Sequence, residues 1–327
     1  METAIRSRPL GARSGLSVSE IGLGLWAVAG SEWGPGDDEA TLEAIETALD
    51  AGVTFFDTAD VYGDGHSEEL LGRAMTGRRD RFLVATKIGW VGYDHQGGRS
   101  RYDTVDRIVA GVESSLHRLG TDRVEAIQCH IGHAEPNTQV FIEGFRKLQE
   151  QGKVLAWGVS TSDLELLRRF NHDGDCDLLQ IDYSILNRTA EAEILPYCEE
   201  NGIGVIVRGP LAMGILADKH QPTDTFPEGD FRRSWIDDPT ANEQFRHDLT
   251  VVERLREVVP EGETMTQFAL RFVRSHPAVS TVIPGARNRA QSEANASAAG
   301  LPLLTPAEAE AVDRLVPPGG GRKIWPA

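Results

Sequence analysis

The sequence predicts an α/β protein built as a (β/α)8 TIM barrel, and three observations carry that expectation. Short β-branched runs alternate with amphipathic stretches along nearly the whole chain. Eight of these runs read as strands, and most are nearly continuously apolar, the pattern of strands buried on both faces of a parallel sheet. The 327 residues contain no internal stretch of linker composition, so 1–327 is expected to form one barrel domain. The alternative is an open doubly wound sheet. Its dinucleotide fingerprint is incomplete, because Gly22 and Gly24 supply a G-x-G and the third glycine is absent.

The elements follow in order. A short hairpin is expected between Pro9 and Val18, ahead of the barrel. The eight strands are expected at 21–25, 53–56, 82–86, 124–129, 154–159, 178–182, 204–207 and 279–283. Between the first two, Leu42, Ile45 and Leu49, with Ala48 beside them, mark one face of a helix that ends at Gly52. Val105, Ile108, Val112, Leu116 and Leu119 mark another, and Gly120 ends it as a C-cap would. Two stretches are additional: 211–241, a long loop after strand seven rich in Pro, Asp and Gly, and the C-terminal tail from Pro317. Long loops in compact domains are usually functional or mobile.

Composition narrows the function. Hydrophobic residues make up 40% and charged residues 25%, as in ordinary folded proteins. No apolar run approaches the ~20 residues of a membrane span, and Met1 to Leu10 lack the apolar core of a signal peptide. A cytoplasmic protein with no membrane partner is expected. The net charge of −17 disfavours nucleic acid as a partner, since an acidic surface gains nothing from counterion release. Cys129, Cys176 and Cys198 form no CxxC pair, so neither a zinc ribbon nor a disulfide framework is indicated.

Functional groups of barrels collect at the C-terminal ends of the strands. There the second strand leads into Asp57, the third into Lys87 and the fourth into His130, with Tyr62 on the loop after Asp57. Strands lie about 4.8 Å apart, so these side chains can converge. Their chemistry is complementary. A phenol is a weak acid at neutral pH. A neighbouring ammonium favours its phenolate, so Lys87 is expected to lower the Tyr62 pKa while Asp57 holds Lys87 charged. His130 can hydrogen-bond an oxygen that gains charge. Such a set protonates a carbonyl oxygen as hydride reaches its carbon. Taken singly, each residue has a plainer reading, Asp57 as a helix cap and Tyr62 as packing. Four plain readings at matched strand ends are much less probable together.

Phe55-Phe56-Asp57-Thr58-Ala59-Asp60-Val61-Tyr62-Gly63, followed by Ser67-Glu68-Glu69-Leu70-Leu71-Gly72, resembles the signature of the aldo-keto reductases. Ala85-Thr86-Lys87 and Gln128-Cys129-His130 resemble that family's next motifs, in order. The resemblance runs from about Leu10 to Leu315. It implies the barrel, NADP(H), and a tetrad of Asp57, Tyr62, Lys87 and His130 with Tyr62 as general acid.

The resemblance also implies cofactor contacts. Gly158-Val159-Ser160-Thr161 is similar to the family's G-V-S-N, with Thr161 in place of Asn, and Gln180 matches a glutamine that bonds the nicotinamide amide. Arg208-Gly209-Pro210-Leu211, continued by Gly214, Leu216 and Lys219, resembles the segment that wraps the pyrophosphate. Arg208 stands where many members carry an aromatic ring. Gly285, Arg287, Gln291 and Asn295 resemble the adenosine-phosphate clamp, in which Arg287 suits a 2′-phosphate. Ala294 replaces a glutamate common there.

Trp26, Trp33, Trp90 and Trp235, with Tyr93, lie in or near strand-end loops and are expected to line a substrate pocket. His130 and His133 have H-x-x-H spacing, but Gly132 after a strand removes the helical context, and no metal is expected. The expected function is NADP(H)-dependent interconversion of a small carbonyl compound (aldehyde, ketone or sugar) and its alcohol. Two other readings stay open: a nucleotide-sensing regulatory barrel with little catalysis, and a metal-assisted hydrolase using Asp57, His130 and His133. No pattern in the sequence specifies an oligomeric state.

Overall fold

The computed structural model describes residues 5–28, 33–92, 101–132 and 137–324. Two short antiparallel strands, β1 (Ser7–Pro9) and β2 (Ser17–Ser19), form the expected hairpin. The barrel strands are β3 (Leu23–Gly24), β4 (Phe55–Asp57), β5 (Leu83–Ile88), β6 (Val124–Cys129), β7 (Val154–Ser160), β8 (Leu178–Asp182), β9 (Gly204–Arg208) and β10 (Val279–Val282). They pair in sequence order, all parallel. The ring closes where Gly22 N–H donates to the Val282 carbonyl at 2.7 Å and Gly24 N–H to that of Pro284 at 3.1 Å. The fold is therefore the expected (β/α)8 barrel.

The helices that cover the strands are α1 (Asp38–Asp50), α2 (His66–Met75), α3 (Val105–Leu119), α4 (Thr138–Glu150), α5 (Leu164–Phe170) and α6 (Ile194–Asn201). After β9 come α7 (Ser234–Asp237), α8 (Pro239–Leu255), α9 (Met265–Ser275), α10 (Arg289–Ser297) and α11 (Pro306–Asp313). Their ends follow local chemistry. Asp37 caps α1 by accepting from Ala40 N–H, and Thr104 caps α3. Gly120 ends α3 in the left-handed conformation, φ 63°.

The stretch 211–241 is less irregular than its composition suggests. It contains helical turns at Ala212–Ala217 and Phe231–Arg233, then α7, and α8 begins inside it. The missed signal was Asp238-Pro239, an N-cap followed by proline at the first helical position. The tail folds back on the body: Arg322 N–H donates to Leu186 O at 2.9 Å, and Ile324 is buried.

Strand periodicity sets the layers inside the barrel. Leu10, Val18, Phe55, Ala85, Ala126, Ala156, Leu178, Ile206 and Ile283 form one apolar cluster, with the hairpin's Leu10 and Val18 plugging the N-terminal end. Two residues further along the strands, on the same face, stand Asp57, Lys87, Gln128, Gly158, Gln180 and Arg208. The interior thus changes from small and apolar to polar within one residue pair. Gly158 is demanded by strand contact, because a Cβ there would lie 1.8 Å from Leu178 O.

At the closed end, Glu20 and Arg274 form an ion pair, each 1% exposed. Arg8, from β1, adds a 3.1 Å contact to Glu20 and donates to the carbonyls of Arg274 and Val279. The hairpin is thereby pinned to the barrel floor. Truncating Arg274 would leave Glu20 buried with only the partly exposed Arg8. Breaking a buried pair in this way typically costs about 3 kcal/mol. Arg274→Met is expected to lower the urea midpoint accordingly. A midpoint equal to wild type with unchanged slope would mean the pair does not hold the floor.

Candidate active site

Asp57 and Lys87 reach one point because each stands two residues past an interior apolar residue, Phe55 and Ala85, on adjacent strands. Lys87 is fully buried and all its N–H donors are used. Its Nζ donates to Asp57 Oδ1 at 2.6 Å, to Thr58 O at 2.8 Å and to the Tyr62 hydroxyl at 3.3 Å. Burial works against the ammonium, but Asp57 and Tyr62 outweigh it and hold Lys87 above its ordinary pKa. Burial pushes the Asp57 carboxyl up, against the attraction of Lys87.

Tyr62 lies on the turn between β4 and α2, half-buried, with its hydroxyl against Lys87. The ammonium also sits 4.9 Å from its ring centroid. The turn is braced by the Thr58 and Ser67 hydroxyls at 2.8 Å and by Ser67 N–H donating to Tyr62 O. The lowering expected from Lys87 is present but does not prevail. Burial raises the phenol above its ordinary value, and Lys87 and Arg208 oppose it.

His130 follows β6, its ring edge-on to Tyr62 with centroids 5.7 Å apart. Its Nδ1 has no hydrogen-bond partner among the described residues. Burial, then the positive charges of Lys87 and Arg208, hold its pKa well below the usual histidine value. The imidazole is therefore neutral at physiological pH.

One contact of an expected residue, and two residues that the sequence reading missed, complete the site. Gln180, expected to face only a nicotinamide amide, also donates its Nε2 to Asp57 Oδ2 at 2.8 Å. Gln128, in register with Lys87, is fully buried with both amide atoms unpartnered among the described residues. Asp182, in register with Arg208, is buried, and the Arg208 charge opposes the effect of burial on its carboxyl. All of them follow from strand register and closure of the ring, relations that spacing along the chain does not reveal.

The expected cofactor positions line the same mouth. Ser160 ends β7 and Arg208 ends β9. Thr161 spends its hydroxyl locally, donating to Gly132 O at 2.6 Å and accepting from Asp163 N–H at 2.9 Å. Gly209 has φ 62°, and a Cβ there would lie 2.4 Å from Asp182 Oδ1. Pro210 and Leu211 lead into left-handed residues at Ala212, Met213 and Gly214, and Lys219 beyond them is exposed. Across the mouth, Gln291 Oε1 accepts from Arg287 N–H at 2.8 Å, and Asn295 Nδ2 donates to Gly285 O at 3.1 Å. The Arg287 guanidinium donates to the carbonyls of Trp33 at 2.9 Å and Pro35 at 2.6 Å.

Of the four tryptophans, Trp26 lies against Tyr62, ring centroids 6.4 Å apart. Trp26 stacks on Phe231 at 5.8 Å, and Trp33 meets both edge-on at 5.2 and 4.9 Å. Phe231, from the post-β9 segment, was not anticipated. Trp90 is half-buried just past β5. Trp235 departs from expectation: it is 7% exposed and packs against Phe226, Phe231 and Phe245, one ring removed from Trp26. It backs the aromatic wall instead of facing the pocket, because α7 turns its ring toward α8. Tyr93 and His133 lie outside the described residues. Among the described residues no group of three or more His, Cys, Asp or Glu is placed to hold a metal, and no helix is long and apolar enough to cross a membrane.

Comparison with known proteins agrees with this geometry. The family model for the aldo/keto reductase family matches residues 20–317. The chain is 33% identical over 296 residues to the aldo-keto reductase YhdN of Bacillus subtilis, covering 89% of this chain and 88% of that one. It is 32% identical over 324 residues to a probable voltage-gated potassium channel subunit beta of Oryza sativa, covering 93% of each. A solved aldo-keto reductase from Klebsiella pneumoniae in complex with NADPH superposes with a TM-score of 0.71 at 26% identity, over 97% of this chain and 96% of that one.

The neutral imidazole gives a direct check. The His130 ring nitrogen shifts, followed by NMR, are expected to stay flat between about pH 5.5 and 8. A midpoint at or above the ordinary histidine value would show that burial together with Lys87 and Arg208 does not hold His130 down as placed here.

Proposed function

The chain belongs to the aldo/keto reductase family, and on that premise we propose that it is an NADP(H)-dependent oxidoreductase. It interconverts an aldehyde, ketone or sugar and the corresponding alcohol, with Tyr62 as general acid and base. The observation that carries this reading is the Lys87 ammonium, buried and shared between Asp57 and the Tyr62 hydroxyl. A buried ion pair aimed at a phenol has little structural purpose, since an apolar pair of similar size would stabilise the barrel as well. We further infer a single barrel domain over 1–327, a cytoplasmic setting and a small-molecule partner rather than nucleic acid.

The mouth suits the cofactor. Gly209 is required where the chain turns left-handed against Asp182, since a Cβ there would lie 2.4 Å from Asp182 Oδ1. In a chain of net charge −17, Arg208 at the end of β9, Lys219 beyond the following turn and Arg287 after β10 are cations on the loops expected to wrap the cofactor, and cations there suit phosphates. Ser160 and Gln180 would hold the nicotinamide end, and Arg287, Gln291 and Asn295 the adenosine end. Bound NADP(H) supplies or takes up the hydride.

The protein's own part is proton transfer and orientation. In reduction the Tyr62 hydroxyl gives its proton to the carbonyl oxygen. Lys87 stabilises the phenolate left behind, and Asp57 with Gln180 keeps Lys87 aimed. His130, neutral, donates one ring N–H to the same oxygen and so orients the carbonyl. The steps reverse in oxidation, where the Tyr62 phenolate is the base.

A second reading, a nucleotide-sensing regulatory barrel, draws on the similarity to the potassium channel subunit. The two separate on turnover. With NADPH absorbance as readout, a panel of aldehydes, ketones and sugars is expected to give sustained consumption. Tight cofactor binding with no turnover in either direction would favour the regulatory reading.

Tyr62→Phe is expected to reduce turnover by about 10²- to 10⁴-fold, the usual worth of general acid catalysis, with NADPH affinity retained. Retention of more than half of wild-type turnover, with chemistry rate-limiting, would remove Tyr62 from that role. Lys87→Met tests the tuning. Lys87 favours the phenolate, so its loss raises the Tyr62 pKa, and the acidic limb of the alcohol-oxidation profile should move to higher pH. Asp57→Asn should be milder, because it acts through Lys87. A wild-type limb in Lys87→Met, with hydride transfer shown rate-limiting by deuterated alcohol, would contradict the assignment.

A further inference from the structure

Arg287 is placed to serve two sites. A guanidinium has five N–H donors. Here Nη1 donates to the Trp33 carbonyl at 2.9 Å and Nη2 to the Pro35 carbonyl at 2.6 Å. These contacts cross about 250 positions of sequence and tie the loop before α1 to the turn before α10. The donors that remain are enough for a phosphate.

The tied segment is part of the substrate wall. The Trp33 ring abuts Trp26 and Phe231 edge-on, and the Trp26 ring lies 6.4 Å from that of Tyr62. A second guanidinium, Arg232, lies 4.8 Å over the Trp33 ring and is itself held by Asp230 at 2.7 Å. Trp33 is therefore fixed at its backbone by Arg287 and at its ring by Arg232. Half-exposed loop segments are otherwise the part of a fold most prone to local opening.

We propose that Arg287 is a positioning residue for the carbonyl substrate: it holds the Trp33–Pro35 backbone, and through Trp33 the aromatic wall facing Tyr62. This rests on the reductase reading above. It adds a role that the cofactor clamp does not require, because the clamp needs only the donors facing the phosphate. It also predicts that substrate affinity and cofactor affinity share one side chain.

The test separates the two roles. Carbonyl KM is measured with 4-nitrobenzaldehyde at saturating NADPH for wild type, Arg287→Ala, Trp33→Ala and the double variant. Arg287→Ala should raise the carbonyl KM about tenfold, the scale of one charge-assisted hydrogen bond, with kcat changed less than about threefold. In the Trp33→Ala background the same change should have little further effect on KM, the non-additivity expected of coupled residues. Arg287→Lys keeps a charge for phosphate but lacks the planar fork that spans two carbonyls. It should recover more of the NADPH affinity than of the carbonyl KM, and it serves if the alanine variant does not fold. The inference is overturned if the KM stays within about twofold of wild type, or if the effect is undiminished without Trp33. Parallel fluorescence titration with NADPH and NADH identifies the other failure. Equal loss of both affinities would remove the 2′-phosphate role yet leave the positioning role to stand or fall on KM.

Discussion

A fully buried ammonium at the barrel mouth constrains the rest of the site. Withdrawing such an ion from water costs several kcal/mol even after the protein relaxes. Lys87 is tolerated there because each of its donors has an acceptor: Asp57, the Thr58 carbonyl and the Tyr62 hydroxyl. That requirement shapes the neighbours. Asp57 must end β4 beside β5 so that its carboxylate reaches the Lys87 ammonium two residues beyond its register partner Ala85. The chain after Asp57 must turn at once, so that Thr58 offers its carbonyl and Tyr62 returns over the ammonium. Gln180, from the opposite side of the ring, holds the remaining Asp57 oxygen.

The layering beneath makes the constraint affordable. Ala85, Ala126 and Ala156 fill the middle of the interior with small side chains, and Phe55, Leu178 and Ile206 complete a dry layer below the polar one. Water is excluded from one side of the Lys87 pair, which strengthens its electrostatics. The hairpin closes the far end, held by the Glu20–Arg274 pair and Arg8. The buried polar groups thus face the mouth, away from the closed end.

The rim shows a different economy. Guanidinium groups clamp loops there: Arg287 grips Trp33 and Pro35, and Arg232, held by Asp230, lies against Trp33 and Phe226. Aromatic rings from two distant segments then pack into one wall. Burial, reinforced by the positive charges of Lys87 and Arg208, keeps His130 neutral. The same two charges oppose the effect of burial on the Tyr62 phenol.

The sequence by itself determined what is local or periodic. Apolar runs located all eight strands to within a few residues, and strand-end positions singled out Asp57, Lys87 and His130, with Tyr62 two turns of motif away. Even there, Asp238-Pro239 was overlooked as the start of α8. Tertiary structure decided everything that depends on which strand lies beside which. Gln128 beside Lys87 and Asp182 opposite Arg208 are pairs set by the register of neighbouring strands, and Gln180 reaches Asp57 across the closed ring, all tens of residues apart or more. It also decided that Trp235 backs the wall while Phe231 forms it, and that burial outweighs Lys87 in setting the Tyr62 proton. The physical reason is common to all of these. Side-chain alternation and capping are properties of a few consecutive residues, whereas desolvation and cross-strand contact exist only once the ring has closed.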